Sequence, residues 1–309
     1  MAIQIIAPDR NTDQLRAYLQ ALLPGTLIFN PGHPGDPNLV EMAILWKQPA
    51  QAVTPFINLK AIHSLGAGVD HLIEDQSIPR DIPIARIVDE QLTKGMRRYV
   101  LMAVLNFHKN LYGHLKSQQT GQWTGLNAAE TTLRVGILGF GQLGRAIALD
   151  LKHMGFEVAA YSRSDKKLEG IRCFSAAKKE LTAFLASINT VVCLLPLTPE
   201  TEDFMDWDFF QKLPDQSFLI NVGRGKHLVE ADLLRAIKSG KIRGACLDVL
   251  REEPLPKGHP FWEDSAVILT PHIASVTNQE AAAQQIAQNY KRIQRGEAMI
   301  HQINRSLGY

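Results

Sequence analysis

The sequence GFGQLG at residues 139–144 constrains the fold more than any other stretch of the chain. It follows RVGIL, an apolar run typical of a buried strand, and it opens RAIALDLKHMG, which has helical spacing. In such a turn the first glycine bends tightly, the second lets backbone amides approach a pyrophosphate, and the third lets helix and strand pack closely. A ligand-free packing turn is the alternative. We predict a dinucleotide site whose residues here are Gly139, Gly141, Gln142, Leu143 and Gly144.

The next strand, VAAYS, ends in a cluster of hydroxyl groups and positive charge, SRSDKK. Ser162 stands 23 positions after Gly139, where an acidic side chain would bind the ribose 2′-hydroxyl of NAD and repel a 2′-phosphate. The chain instead offers Ser162, Arg163 and Ser164, and a guanidinium suits a phosphate. We therefore predict NADP(H) as the cofactor; a solvated basic loop is the alternative.

Composition bounds the remaining classes of function. At 309 residues the chain is long enough for two domains, and a net charge of +2 gives no field that would attract nucleic acid or a membrane surface. The amino terminus has no basic leader or cleavage site, and the three cysteines are widely spaced with no metal-ligand pattern. We expect a cytoplasmic protein without a bound metal.

The pattern of apolar runs predicts an α/β fold with two doubly wound parallel sheets. Five short runs in the first hundred residues alternate with helical or loop segments, and six more follow Leu133. Between them, from about Asp89 to Ser117, the spacing predicts one long helix or two in tandem. A last helix is expected from about Asn278 to Gly296, able to pack on either sheet.

Three charged or titratable side chains follow successive strands of the second predicted sheet. They are Arg224 in NVGRG, Glu253 in LDVLREEP and His272 in LTPHIAS. Each alone has an ordinary structural explanation as a turn, a loop carboxylate or a core histidine. Because ligands bind beyond the carboxyl ends of such strands, all three together predict a catalytic site.

The runs GFGQLG, LINVGRGKHLVEADLLRAIKSGKIRGACLDVLREEPLP and TPHIAS resemble the D-isomer-specific 2-hydroxyacid dehydrogenase family. The resemblance covers essentially the whole chain and includes SLGAGVDHL near residue 64. Within the family, SRS after the second strand, Trp46 in ILWK and the carboxyl-terminal GY are similar to the branch that reduces glyoxylate and hydroxypyruvate with NADPH. The implied fold has two domains, Rossmann-like and flavodoxin-like, with a cleft between them.

The resemblance implies a catalytic set of Arg224, Glu253 and His272 for the reduction of a small 2-oxo acid. Arg224 would bind substrate, His272 would donate the proton, and Glu253 would orient the imidazole and favour its charged form. Glu252 also precedes Pro254, and we choose Glu253 because the acid of the family immediately precedes the proline.

Further site residues are expected on the same basis. Asp248 would face the nicotinamide carboxamide, although a cap for the following loop explains it as well. The backbone of Ala67 and Gly68 would hold the substrate carboxylate, and Trp46 would form a wall of the pocket or else belong to the core. The other expected cofactor contacts are Leu195, Pro196, Val222 and Gly223.

The resemblance also implies the domain organisation. Residues 1–94 plus 277–309 would form a discontinuous substrate domain, and 95–276 the NADP-binding Rossmann domain. The long helix and the loop that contains Trp123 resemble the arm through which the family forms homodimers. Two alternative functions remain, a nucleotide-sensing corepressor-like protein on the same fold and a dehydrogenase for a different 2-oxo acid.

Overall fold

The computed structural model describes residues 1–123 and 132–305, and the chain divides into two compact units. Met1–Leu92 and Val276–Tyr309 form the first unit, and Thr93–Ser275 forms the second. The terminal Gly308-Tyr309 pair and the part of the predicted dimer arm that follows Trp123 lie outside the described residues. The roles of the units as substrate and nucleotide domains stay predictions.

Short strands alternate with helices along the described chain. The strands are β1 (Ala2–Ile6), β2 (Leu27–Phe29), β3 (Val40–Leu45), β4 (Ala61–Ser64), β5 (Ile84–Ala85), β6 (Arg134–Leu138), β7 (Glu157–Ser162), β8 (Arg172–Ser175), β9 (Thr190–Cys193), β10 (Ser217–Asn221), β11 (Ile242–Leu247) and β12 (Val267–Leu269). The α-helices are α1 (Asp13–Leu22), α2 (Asp70–Ile73), α3 (Glu90–His108), α4 (Leu111–Gln119), α5 (Gln142–His153), α6 (Leu181–Ser187), α7 (Trp207–Gln211), α8 (Glu230–Lys238) and α9 (Gln279–Gln294).

The first unit contains a five-stranded parallel sheet in the order β2-β1-β3-β4-β5, which is the flavodoxin-like arrangement. Every residue of β3 is buried, and its side chains alternate between two apolar clusters. Met42 and Ile44 face the cluster to which α1 and α9 contribute, whereas Ala43 and Leu45 face the other. The predicted last helix therefore packs in the first unit.

The second unit contains a seven-stranded parallel sheet in the order β12-β11-β10-β9-β6-β7-β8. In this unit the strands are added from β6 outward through β7 to β8 at one edge, and then from β9 outward to β12 at the other edge. The strand order therefore reverses between β6 and β9. The prediction of two doubly wound parallel sheets is confirmed, but the prediction of six strands in this unit is wrong by one. The missed strand, β8, is an edge strand whose sequence RCFS contains no long apolar run.

The predicted long helical segment is two helices in tandem, α3 and α4. Asn110 separates them in the left-handed conformation, with φ 49°, which interrupts helical backbone geometry. None of the helices among residues 1–123 and 132–305 combines the length and apolar character required to cross a bilayer.

Candidate active site

In the glycine-rich turn between β6 and α5, each of the three positions has glycine for a different structural reason. Gly139 has φ +99°, and a Cβ on it would lie 2.7 Å from the carbonyl oxygen of Leu194. A Cβ on Gly144 would lie 2.1 Å from the carbonyl oxygen of Gly139, so only glycine lets the helix pack against the turn. At Gly141 no atom lies within 4 Å of an added Cβ, and no side chain caps α5 there. The amino terminus of α5 is thus open to an anion.

The predicted phosphate-binding cluster lies at the end of β7, which neighbours β6 in the sheet. Arg163 and Ser164 are exposed. Lys166 reaches back to the glycine-rich turn, where its Nζ donates to the carbonyl oxygen of Phe140 at 2.7 Å. The Ser162 hydroxyl is buried and donates to the carbonyl oxygen of Ser164 at 2.7 Å, so it shapes this turn. The glycine-rich turn and the basic cluster after β7 are therefore adjacent.

The other predicted cofactor contacts follow β9 and β10, which pair with each other. The amide of Val222 donates to the carbonyl oxygen of Cys193 at 3.3 Å. A Cβ on Gly223 would lie 3.2 Å from the carbonyl oxygen of Leu195, so glycine allows these loops to approach. The carbonyl oxygen of Pro196 accepts from the Thr201 hydroxyl at 2.7 Å, which fixes the loop after β9.

The backbone of Arg224 is held on both sides by two buried polar side chains that the sequence did not single out. Its amide donates to Nδ1 of His227 at 3.1 Å, and its carbonyl oxygen accepts from Nδ2 of Asn221 at 3.1 Å. Because Nδ1 of His227 accepts, its Nε2 carries the proton and contacts the carbonyl oxygen of Pro196 at 3.3 Å. The guanidinium of Arg224 donates from Nη1 to the carbonyl oxygen of Gly223 at 2.7 Å.

His272 and Glu253 form a direct pair, with 2.8 Å between Nδ1 of the imidazole and Oε2 of the carboxylate. The other carboxylate oxygen accepts from the amide of Leu250 at 3.1 Å, which fixes the carboxylate plane. Nε2 of His272 has no hydrogen-bond partner among the described residues, and the side chain is 30% exposed. The ring is therefore oriented by one nitrogen and can reach a ligand with the other.

Asp248 holds the loop on which His272 lies. Its Oδ1 accepts from the Thr270 hydroxyl at 2.6 Å and from the amide of Ile273 at 2.8 Å, and its Oδ2 accepts from the amide of Ala274 at 2.8 Å. Its carbonyl oxygen also accepts from the amide of His272 at 2.8 Å. The backbone of His272 has φ 56°, a left-handed conformation that residues other than glycine adopt at an energetic cost. These contacts favour the loop-capping explanation of Asp248.

A buried tyrosine extends this network. Thr270 gives its hydroxyl proton to Asp248, so it accepts from the Tyr99 hydroxyl, and the two oxygens are 2.5 Å apart. Burial raises the pKa of Tyr99, which keeps the phenol protonated as that donor. The His272 loop is thus connected through Asp248 to α3.

The two buried thiols of this unit, Cys193 and Cys246, are not poised for chemistry. Burial raises the pKa of Cys193 to about 12 and that of Cys246 to about 11. Both therefore remain neutral thiols at physiological pH, and a thiolate is the nucleophilic form of cysteine.

The predicted substrate residues of the first unit follow β3 and β4. The amides of Ala67 and Gly68 have no hydrogen-bond partner in the described part of the chain. Ser64 shapes their loop, because its hydroxyl donates to the carbonyl oxygen of Gly68 at 2.8 Å. Trp46 is only 8% exposed and belongs to the apolar core, with the guanidinium of Arg10 lying 4.1 Å from its ring centroid. The core explanation of Trp46 thus fits the structure.

Comparison with known proteins places the chain among its relatives. The family profile described as D-isomer specific 2-hydroxyacid dehydrogenase, NAD binding domain, matches residues 101–274. A glyoxylate/hydroxypyruvate reductase A of Serratia proteamaculans is 35% identical over the full length of both chains.

Solved structures agree with this placement. A D-isomer specific 2-hydroxyacid dehydrogenase from Xanthobacter autotrophicus Py2, in complex with NADPH and MES, has a TM-score of 0.90 at 38% identity. An NADPH-dependent glyoxylate/hydroxypyruvate reductase from Sinorhizobium meliloti, in complex with NADP and sulfate, has a TM-score of 0.91 at 32% identity. Each comparison covers 100% of this chain and 99% of the other. The chain belongs to the D-isomer specific 2-hydroxyacid dehydrogenase family.

Proposed function

We propose that this chain is an NADPH-dependent reductase of small 2-oxo acids that converts glyoxylate to glycolate and hydroxypyruvate to D-glycerate. The observation that carries the proposal is the His272–Glu253 pair, with its 2.8 Å contact and with Nε2 of His272 unpartnered among the described residues. The pair lies at the same sheet edge as Arg224, because β10, β11 and β12 are adjacent parallel strands.

The reduction of a 2-oxo acid needs a proton donor at the carbonyl oxygen and positive charge near the two substrate oxygens. His272, in its protonated form, donates from Nε2 to the oxygen that becomes the hydroxyl. Glu253 accepts from Nδ1 and so keeps the ring in the orientation for that transfer. Arg224 binds the substrate with its guanidinium fork, and the contacts of its backbone with Asn221 and His227 hold the loop from which that side chain projects.

The residues around the glycine-rich turn fit a dinucleotide. NADPH, when bound, supplies the hydride for the 2-oxo carbon. The uncapped amino terminus of α5 and the open space above Gly141 suit the pyrophosphate, and the exposed Arg163 suits the 2′-phosphate. The relatives from Xanthobacter autotrophicus and Sinorhizobium meliloti, solved with NADPH and NADP, support this cofactor.

The free amides of Ala67 and Gly68 are proposed as donors to the substrate carboxylate. Two adjacent N–H groups that have no partner within residues 1–123 and 132–305 are suited to an anionic oxygen, and Gly68 has no Cβ to obstruct it. Asp248 is proposed to act on the position of His272, because both of its carboxylate oxygens are engaged in the loop at 270–274.

Loss of NADPH absorbance on addition of glyoxylate or hydroxypyruvate tests the proposed reaction. A steady-state panel with glyoxylate, hydroxypyruvate, pyruvate and phenylpyruvate should give the highest kcat/KM for one of the first two. No turnover of any of the four would favour a nucleotide-sensing binding protein, and preference for a larger substrate would reject only the substrate assignment.

Reversal of charge at Arg163 tests the cofactor assignment. Arg163→Asp removes a cation that suits the 2′-phosphate and adds a carboxylate that repels it, so KM for NADPH should rise about 10- to 100-fold. KM for NADH, which lacks that phosphate, should change far less. Equal increases for the two cofactors would refute the assignment.

We also propose, from the family resemblance alone, that the protein is a homodimer. One chain has a mass of 34.4 kDa, and light scattering should give twice that mass. A mass equal to one chain would reject the dimer and leave the proposed reaction untouched.

A further inference from the structure

We propose that Arg10 is a specificity-determining residue that binds a second carboxylate of the substrate, so that the enzyme also reduces 2-oxo dicarboxylic acids. The inference deepens the proposed function and rests on it. It comes from the first unit alone, where Arg10, Trp46 and the loop of Ala67 and Gly68 lie together.

Sheet topology explains why these residues meet. β1 and β3 are parallel neighbours, with Ile6 opposite Leu45, and the amide of Trp46 donates to the carbonyl oxygen of Ile6 at 3.0 Å. The residues after both strands therefore emerge at the same edge of the sheet. β4 is the next neighbour of β3, and Gly66 follows it. A Cβ on Gly66 would lie 2.3 Å from Cζ3 of the Trp46 indole, so this loop lies directly against the ring.

The guanidinium of Arg10 covers the indole. It lies 4.1 Å from the ring centroid, which is a cation–π contact, and His71 makes a T-shaped contact with the indole at a centroid separation of 5.2 Å. Trp46 is consequently only 8% exposed, whereas Arg10 is exposed. The guanidinium and the loop that contains Ala67 and Gly68 thus lie against the same indole, so we expect a ligand at these amides to lie near this cation.

The guanidinium of Arg10 contributes its charge to the contact with Trp46, but its edge meets no acceptor in the described part of the chain. It makes no hydrogen bond and no ion pair within residues 1–123 and 132–305, although the neighbouring Asp9 acts on it electrostatically. A stacked guanidinium keeps its edge N–H groups free, and these match the two oxygens of a carboxylate. Stacking also fixes its orientation, which reduces the entropy lost when a ligand binds.

A second cation reinforces the electrostatic character of this loop. The Nη1 of Arg86 donates to the carbonyl oxygen of Ala67 at 3.4 Å, and this arginine is half-buried. Glyoxylate and hydroxypyruvate have one carboxylate, which the free amides can hold. The additional positive charge therefore favours a substrate with a second carboxylate, at the end remote from the 2-oxo group.

Matched substrate pairs test this inference. Oxaloacetate and 2-oxobutyrate have the same chain length and differ in the terminal carboxylate, and 2-oxoglutarate and 2-oxopentanoate form a second such pair. With NADPH, the wild-type ratio of kcat/KM for the charged over the uncharged member should exceed one in at least one pair. Arg10→Leu should lower that ratio about 10- to 100-fold, mainly through KM, since a charged hydrogen bond remote from the reacting carbon is lost.

Further variants separate charge from packing. Leucine at position 10 still covers the indole, and an unchanged tryptophan fluorescence spectrum should verify this. Arg10→Lys should retain part of the preference, Arg10→Glu should reverse it, and Arg80→Leu, which removes an exposed arginine elsewhere in the same unit, should leave it unchanged.

The outcomes distinguish this inference from the proposed function. Turnover of glyoxylate or hydroxypyruvate, combined with ratios below one in both pairs or ratios unaffected at Arg10, would overturn only the role of Arg10. Absence of turnover with any 2-oxo acid would overturn both.

Discussion

At the scale of single residues, the proposed chemistry depends on which of two adjacent glutamates meets the imidazole. Glu253 contacts His272 through one oxygen and the amide of Leu250 through the other, whereas Glu252 is exposed. Their side chains are chemically identical, so a difference in the effect of mutating them reports position alone.

Glu253→Gln should lower kcat for hydroxypyruvate about 10- to 100-fold, because the amide can still accept from Nδ1 but no longer provides charge. Glu252→Gln serves as the matched control and should leave kcat within about twofold of wild type. Steady-state NADPH oxidation measures both. Equal effects of the two substitutions would reject the pairing as the source of activity.

His63 is a buried titratable residue that lies apart from the proposed chemistry. It is fully buried in β4, with Nδ1 2.8 Å from the carbonyl oxygen of Ser64 and with no partner for Nε2 among the described residues. Burial lowers its pKa to about 4, and His301 contributes in the same direction. Between that value and the ordinary histidine pKa, the unfolded chain binds a proton that the folded chain does not.

The stability supplied by neutral His63 is therefore present above pH 6.5 and is lost as the pH falls toward 4. Between pH 7 and pH 5 this residue should reduce the free energy of unfolding by about 2 kcal/mol. Urea unfolding of wild type and His63→Asn at both pH values measures it, since asparagine keeps a donor for Ser64 but does not titrate. An identical pH dependence in the two proteins would contradict the assignment.

Sequence reasoning at this scale selected residues by chemical type and missed those that act through the backbone. Asn221 and His227 hold the backbone of Arg224, yet their partners are main-chain atoms that only the folded loop brings close. Asn221, a polar residue at the end of the apolar strand β10, was the one sequence feature that could have indicated such a role. Arg10 and Trp46 follow two strands that are far apart in the sequence, so no local sequence pattern predicts their contact.

At the scale of elements, the glycine-rich turn contains within six residues one glycine required for packing and another proposed to face the cofactor. Gly144 has a carbonyl oxygen in the space where a Cβ would lie, whereas Gly141 has open space. The spacing of the motif predicted both, because strand, turn and helix are local in sequence.

Gly144→Ala should destabilise the second unit by about 1–3 kcal/mol, since helix and turn must separate to admit the methyl group. Gly141→Ala should leave stability within about 0.5 kcal/mol but raise Kd for NADPH about tenfold or more, because the methyl group would occupy the approach of the pyrophosphate. Thermal unfolding and fluorescence titration with NADPH measure the two effects. Gly141→Ala with unchanged affinity would show that the cofactor does not approach this turn.

The elements that sequence did not resolve are those without a strong apolar signal. β8 lies at the edge of its sheet, and only Ser175 among its four residues is fully buried, so its sequence lacks the run that marks a central strand. The division between α3 and α4 depends on the left-handed backbone of Asn110, which helical spacing does not reveal. The predictions of two parallel sheets and of α9 were confirmed, since those elements have long apolar patterns.

At the scale of the whole molecule, two sheets of different topology account for the length of the chain. The family relationship extends over both, with full-length coverage in the curated and structural relatives. Sequence alone could predict the family and its expected residues, because the motifs are long. It did not indicate that the guanidinium of Arg10 covers Trp46, because that contact arises from the pairing of β1 with β3.

The most direct test of the proposed chemistry is kcat for NADPH oxidation with saturating hydroxypyruvate, compared between wild type and His272→Gln. Loss of the proton donor should lower kcat about 10²- to 10⁴-fold. Kd for NADPH, measured by fluorescence in parallel, should stay within about twofold, because His272 is proposed to act on the substrate. A variant that binds NADPH normally and retains wild-type kcat would contradict the proposal that His272 supplies the proton.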